Sequence, residues 1–144
     1  MYHWIVKRNV RSTFQSLSKS DWDSLTNQLS ANFRYEFVGE HSIGGTRQTH
    51  EAMRKWIARL NRLIPKPLFE IQSIAVAGMP WNTTVLIHVE VTSQDYKNQF
   101  FQRIRIRWGS LTDILTLEDL HTLEKHFESL AANGIDEAKA SPIV

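Results

Sequence analysis

By type and spacing, His88 and Glu90 are the residues of this chain best suited to moving a proton. They are an imidazole and a carboxylate two positions apart, which a β-strand sets on one face. A neighbouring carboxylate favours the charged imidazole and burial opposes it, so the pair can hold a proton acceptor near neutral pH. In such a site His88 is the general base and Glu90 its orienting partner. The strand that carries them, Val85 to Thr92, alternates Val85, Ile87, Val89 and Val91 with Leu86, His88, Glu90 and Thr92. The residue pattern by itself buries the valine face. His88 and Glu90 then lie in solvent, where Arg103, Arg105 or Arg107 are the simplest cross-strand partners. Catalysis requires the opposite orientation.

Other chemistry-bearing groups are sparser. Arg103, Arg105 and Arg107 alternate with Ile104, Ile106 and Trp108, so one face of that strand is cationic. Such a stripe can read phosphate, but no aromatic interleaves on the same face for base stacking, so a solvent-facing or dimer-facing surface is expected and nucleic acid is not. His41, in the loop GEHSIGG, stands where it could reach a cavity mouth. His50-Glu51 lacks a second histidine at metalloprotease spacing, and His121, Glu124 and His126 do not set two histidines on one helical face, so no metal site is expected. No glycine-rich phosphate loop or serine nucleophile elbow occurs, and no cofactor is expected.

The elements that must position these groups begin with residues 29–60. Phe33, Tyr35 and Phe37 fall at period two opposite Arg34 and Glu36, the pattern of a half-buried strand. A loop follows in which Gly39, Gly44 and Gly45 allow positive φ. Thr49 then offers an N-cap to a helix with Met53, Trp56, Ile57 and Leu60 on one face. A strand broken by glycines and restarted as an amphipathic helix suggests a pocket. Upstream, Val6, Val10, Phe14 and Leu17 predict a helix ending near Ser18. Ser20 with Asp23 resembles a capping box for a second helix with Trp22, Leu25 and Leu29 as its buried stripe, reaching about Ser30.

Pro65 and Pro67 end helical structure, and the period changes. Leu68 to Ala77, Thr83 to Thr92 and Asn98 to Trp108 read as long antiparallel strands. Gly109-Ser110 turns into a further strand, Leu111 to Leu117. Leu120, Leu123, Phe127 and Leu130 mark a last helix, capped at Asn133-Gly134. The chain is therefore α+β, one domain over residues 1–134 with a short tail at 135–144. Helices grouped ahead of a meander must cover one face of a curved antiparallel or mixed sheet, which leaves a cone-shaped hollow. Phe14, Trp22 and Trp56 could line an apolar ligand site there.

The 144 residues, 42% hydrophobic, suffice for one core, which at this size buries roughly 68–70% of the unfolded chain's surface. A net charge of +2 with Lys and Arg scattered along the chain implies neither nucleic acid nor an anionic membrane. Zero cysteines exclude disulfides and thiolate chemistry and suit a reducing compartment, with the cytoplasm expected. No stretch approaches 18 apolar residues, so a soluble protein is expected.

Through SKSDWDSLTNQLSANFRYEF, GGTRQTHEAMRKW and WGSLTDILTLED, the chain resembles the ketosteroid-isomerase-like superfamily, also called nuclear transport factor 2-like, in its SnoaL-like branch. The resemblance spans about residues 1–134 and implies the cystatin-like cone. The superfamily holds isomerases, hydrolases, cyclases, dehydratases and noncatalytic binders, so fold does not settle function. Tyr35 matches a tyrosine that holds the attacking water in epoxide-hydrolase relatives. Phe37 stands where the isomerases place their catalytic aspartate, which argues against steroid isomerisation. VLIHVEV is similar to the hydrolases' Arg-x-Asp strand and would turn His88 and Glu90 inward, while the following acidic partner is Thr116. Asp119 resembles the terminal acid but equally suits a helix's first turn.

The resemblance thus implies an internal cavity for a small, mostly apolar organic ligand, lined by Phe14, Phe37, His41, Trp56 and Thr116. Cofactor-free isomerase, dehydratase or hydrolase chemistry would fall to His88, Glu90 and Tyr35, with Tyr35 as donor. The alternative is a noncatalytic ligand-binding or dimerisation module. A homodimer formed through the sheet is also implied.

Overall fold

A computed structural model describes all residues, Met1–Val144. Helix α1, Tyr2–Ser18, buries the expected stripe of Val6, Val10, Phe14 and Leu17. It lies across strand β3, Leu68–Met79. Ser18 locks its end, its Oγ accepting from the Phe69 amide at 2.9 Å. Strand β4, Asn82–Ser93, strand β5, Tyr96–Arg107, and strand β6, Ser110–Glu118, follow β3 as an antiparallel meander. Strand β1, Leu29–Phe37, pairs in parallel with β6, and the short β2, Gly45–Arg47, pairs antiparallel with β1. The sheet order is β2-β1-β6-β5-β4-β3, so β2 and β3 are edges and the sheet stays open. Register breaks at Gln72 in β3 and at Thr112 in β6, opposite Arg105–Ile106, bend it around the helices.

Two local expectations fail, each for a tertiary reason. The second helix, α2, is a single turn, Asp23–Thr26, with Trp22 at its N-cap and no side-chain cap; Ser20, the expected cap, sits at φ +63°. Leu29 belongs instead to β1, where it pairs with Leu111, and the Leu111 amide donates to Gln28 O at 2.8 Å. Strand pairing thus outbids a continued helix. The glycine loop holds β2, which at three residues is too short to show alternation. Within that loop, Gly44 is required for a close approach and not for its φ, since a Cβ there would lie 2.1 Å from Gly39 O.

Helix α3, His50–Leu63, is capped as expected, Thr49 Oγ1 accepting from the Ala52 amide at 3.1 Å. It buries Met53, Trp56, Leu60 and Leu63 against β1. Helix α4, Leu120–Ala132, begins at Asp119, whose side chain accepts from the Thr122 amide and hydroxyl. That contact holds the Asp119 carboxyl below its ordinary range, the Thr122 hydroxyl being the main cause. Asp119 is thus a helix cap.

Residues 135–144, expected as a tail, fold back onto the domain at a few points while most of them stay exposed. Gly134, at φ +90°, reverses the chain into a 3-10 turn, Asp136–Lys139, that buries Ala138. Glu137 accepts from Arg62 at 2.6 and 2.7 Å and from Arg59 at 3.1 Å. The Arg62 contact is the main cause holding its carboxyl at about 2.

Because the folded carboxyl is depressed, its contribution is present above the ordinary glutamate range near 4.5 and is lost as pH falls toward 2. Solvent screens the pair, so Glu137→Ala should cost about 1 kcal/mol at pH 7. Urea unfolding of both proteins should show that gap closing between pH 4.5 and pH 2.

Candidate functional site

Between the inner face of the sheet and helices α1 and α3 lies a cavity of about 320 Å³. That is the low end of the range for small-molecule sites. Its walls are mostly hydrophobic, with Val10 and Phe14 from α1, Trp56 and Leu60 from α3, and Phe100 and Ile104 from β5. Phe14, Tyr35, Phe37, Trp56 and Thr116 all line it.

One wall is polar. Tyr35, Gln102 and Thr116 meet because Phe37 pairs with Thr116 and Gln102 pairs with Thr116 across β1, β6 and β5, leaving all three side chains on the inner face. Gln102 Nε2 donates to Thr116 Oγ1 at 2.9 Å, and the Tyr35 hydroxyl lies in hydrogen-bonding reach of both residues. Burial pushes the Tyr35 phenol up to about 12 in spite of the Arg47 guanidinium nearby, so it remains a proton donor at any ordinary pH. Arg47 is fully buried. Its guanidinium stands 5.0 Å from the Trp56 ring centroid and 5.8 Å from that of Tyr35, and it donates to Gly44 O, Gly45 O and Ile143 O. Burial lowers it to about 10, which leaves it a cation at neutral pH.

Glu118, two positions beyond Thr116 on the same face, also lines the cavity. Burial pushes its carboxyl up to about 8. The Tyr96 hydroxyl, within hydrogen-bonding reach, only partly opposes that. Tyr96 is itself fixed by Asn98, whose Nδ2 reaches its hydroxyl at 2.6 Å, and burial raises the Tyr96 phenol as well. Glu118 has no ion-pair partner. It is therefore a neutral acid at pH 7 and titrates just above, able to donate a hydrogen bond or a proton into an apolar space.

His88 and Glu90 lie elsewhere. The valine face of β4 is the buried one, with Val85 and Val89 at 0% exposure, so both residues project from the outer face, away from the cavity. His88 stacks on Phe101 at 4.5 Å and its Nε2 lies 2.8 Å from Gln99 Oε1. The pattern of the strand, and not the orientation implied by the resemblance, decides the face: four β-branched side chains gain more by burial than His88 and Glu90. Neither reaches a ligand in the cavity. Nor do they pair with the arginine stripe, since the register sets His88 opposite Phe101 and Glu90 opposite Gln99. Arg103 instead meets Asp113 at 3.0 Å. His41 packs beside Phe37 and Phe127, its Nε2 3.2 Å from Val38 O, behind the cavity lining. Burial lowers its pKa, which favours the neutral ring.

A SnoaL-like domain matches residues 10–114, and the chain belongs to that family. Its structural neighbours carry the nuclear transport factor 2-like fold. PrhC from Penicillium brasilianum superposes with a TM-score of 0.75 at 11% identity, over 96% of this chain and 98% of that one. An NTF2-like protein of Burkholderia pseudomallei gives 0.67 at 16% identity, over 87% and 94%. Bal32a, from a soil-derived mobile gene cassette, gives 0.67 at 13%, over 83% and 94%. At these identities the likeness is one of fold. No curated protein matches the chain in sequence. No helix is long and apolar enough to cross a membrane, and no group of three or more His, Cys, Asp or Glu side chains is placed to hold a metal ion.

Glu118 and Gln102 were not singled out from the sequence, yet a signal for each exists. Ile114, Thr116 and Glu118 continue one period-two face, as do Phe100, Gln102 and Ile104. An acid that prolongs a buried face is the unusual observation. Its raised pKa makes stability fall as pH climbs from 4.5 to 8, because the unfolded chain ionises first. Glu118→Gln should remove that decline, gaining on the parent at up to roughly 1.4 kcal/mol per pH unit across the window, as read by urea unfolding at several pH values.

Proposed function

We propose that the cavity binds a small, mostly apolar organic molecule that carries a hydrogen-bonding oxygen, and that Glu118 and Tyr35 supply cofactor-free general acid/base chemistry to it. The observation that carries this reading is a neutral carboxyl and a phenol together on the sheet wall of a mostly hydrophobic cavity. Isomerisation, dehydration or water addition all need a donor at an oxygen. Tyr35 and Glu118 can hydrogen-bond such an oxygen while Phe14, Trp56 and Phe100 pack the carbon skeleton. Gln102 and Thr116, bonded to each other, stand beside the phenol. With His88 and Glu90 on the outer face, the acid/base role passes to Glu118. A noncatalytic binder of the same ligand class is the second reading, favoured by the absence of any ion-paired base on the cavity wall.

A small bicyclic phenol, 2-naphthol, tests the site. It should bind saturably with one-to-one stoichiometry, read by fluorescence. Ile104→Trp, which fills the cavity, should abolish binding, and Tyr35→Phe should weaken it about fivefold through loss of one hydrogen bond worth about 1 kcal/mol. Binding that survives Ile104→Trp would place the ligand elsewhere.

Self-association belongs to the same reading. The outer face of the sheet exposes Leu86, Phe101 and Leu117, and Phe101 pairs laterally with both His88 and Leu117. A second copy covering this face would bury all three. Sedimentation velocity should report a dimer that Phe101→Asp reduces to monomer.

A further inference from the structure

The cavity opens where three segments converge. The N-terminal turn of α1 is tied to the β3–β4 turn by the hydrogen bond between the Tyr2 and Thr83 hydroxyls and by His3 Nε2, 2.8 Å from Gly78 O. That turn is tied to the β5–β6 turn, the Trp108 amide donating to Pro80 O at 2.7 Å and the Trp81 and Trp108 rings lying 6.1 Å apart. Ile5, Asn9, Trp108 and Gly109 both line the cavity and stand exposed, so they mark its mouth.

Around that mouth the surface is unusually greasy. Trp108 is 73% exposed, Trp4 58%, Trp81 53% and Met79 52%, on three separate elements. Trp108 holds φ +49°, a conformation costly for a bulky side chain, at the tip of its turn. Exposed tryptophans on this scale mark an interaction surface, and an indole ring, apolar with one polar edge, suits the boundary between water and lipid.

The charge around the patch has one sign. The first twenty residues hold Lys7, Arg8, Arg11 and Lys19 and no acid, so the mild overall charge conceals a basic α1 on a net acidic remainder. Arg8 lies over the Trp4 ring at 5.3 Å, putting a cation directly on the patch. Arg107 flanks Trp108 from β5, and neither turn carries an acid. Lys7, Arg8, Arg11 and Arg107 make no ion pair within the chain. Tryptophans interleaved with unpaired cations complement a surface that is apolar beneath and anionic at its headgroups.

We propose that the cavity mouth seats on an anionic lipid surface through Trp4, Trp81 and Trp108, with Lys7, Arg8 and Arg11 against the headgroups. This is peripheral contact. A ligand dissolved in the bilayer would then pass to the cavity without crossing water, a consequence that rests on the cavity reading above, whereas the contact itself does not.

Flotation of the full chain with phosphatidylcholine vesicles, with and without 30% phosphatidylserine, tests it. The expected result is binding to the anionic vesicles at low salt, at least tenfold weaker on phosphatidylcholine alone and in 0.5 M salt. Trp4→Ser/Trp81→Ser and Arg8→Glu/Arg11→Glu should each lose tenfold or more. None of these four residues lines the cavity, so both variants should keep their circular dichroism and bind 2-naphthol as the parent does. Equal partition to both vesicle types, no flotation at all, or variants that float like the parent would overturn the proposal. So would a dimer that Trp4→Ser/Trp81→Ser dissociates in a protein that floats with no vesicle, since the patch would then be covered by a second copy. Failure of naphthol binding with flotation intact would overturn the cavity reading alone.

Discussion

The parallel pairing of β1 with β6 is the constraint from which the site follows. It joins residues distant in the chain, Leu29 with Leu111 and Phe37 with Thr116, and no short connection could impose it. Once it forms, the inner face of β1 continues that of the meander. Tyr35 and Phe37 then share a wall with Ile114 and Thr116, and α3 must lie over that wall to bury Trp56. The same pairing fixes where α2 stops. The helices cover one face of a bent sheet, and the side chains between them leave the hollow of about 320 Å³.

Arg47 ties that arrangement together behind the cavity wall. A fully buried guanidinium with no carboxylate is costly unless its donors are met. Here Gly44 O, Gly45 O and Ile143 O accept from it and two ring faces cover it, so the glycine loop, the C-terminal strap and the aromatic wall are held by one side chain. Its Nε finds no partner, the residual cost of the arrangement. The C-terminal segment is held a second time at Glu137, which accepts from Arg59 and Arg62 of α3.

The legible parts of the sequence were those with sustained periodicity. Val6 to Leu17, Met53 to Leu60 and the long strands stand where alternation or helical spacing put them. What failed was decided by partners far along the chain. Nothing local tells Leu29 that Leu111 will claim it, and three residues of β2 carry no period. The site divides in the same way. Tyr35, Phe37, Phe14, Trp56 and Thr116 sit on readable faces and line the cavity. For His88 and Glu90, a strand with two competing faces was set by the valines opposite them, and chemical attractiveness was a poor guide to orientation. Glu118 was legible but eclipsed by Asp119 beside it, because an acid at a strand end is ordinarily assigned to the helix it precedes.

The polarity of the cavity runs along β5. At one end Trp108, Pro80 and Ile5 frame the mouth. At the other, Phe100 pairs with Glu118, beyond which Asn98 and Tyr96 hold the carboxyl's surroundings. The eight steps from Phe100 to Trp108 span roughly 26 Å of extended chain, so mouth and acid lie far apart along the hollow. Between them the inner face of β5 passes from Ile106 and Ile104 to Gln102. On the helix side Asn9, Thr13 and Gln28 add polar groups, with Gln28 Nε2 donating to Thr13 Oγ1 at 2.9 Å. An acid kept neutral by burial has no charge to desolvate, which is how the fold tolerates Glu118 beside Phe100 without an ion-pair partner.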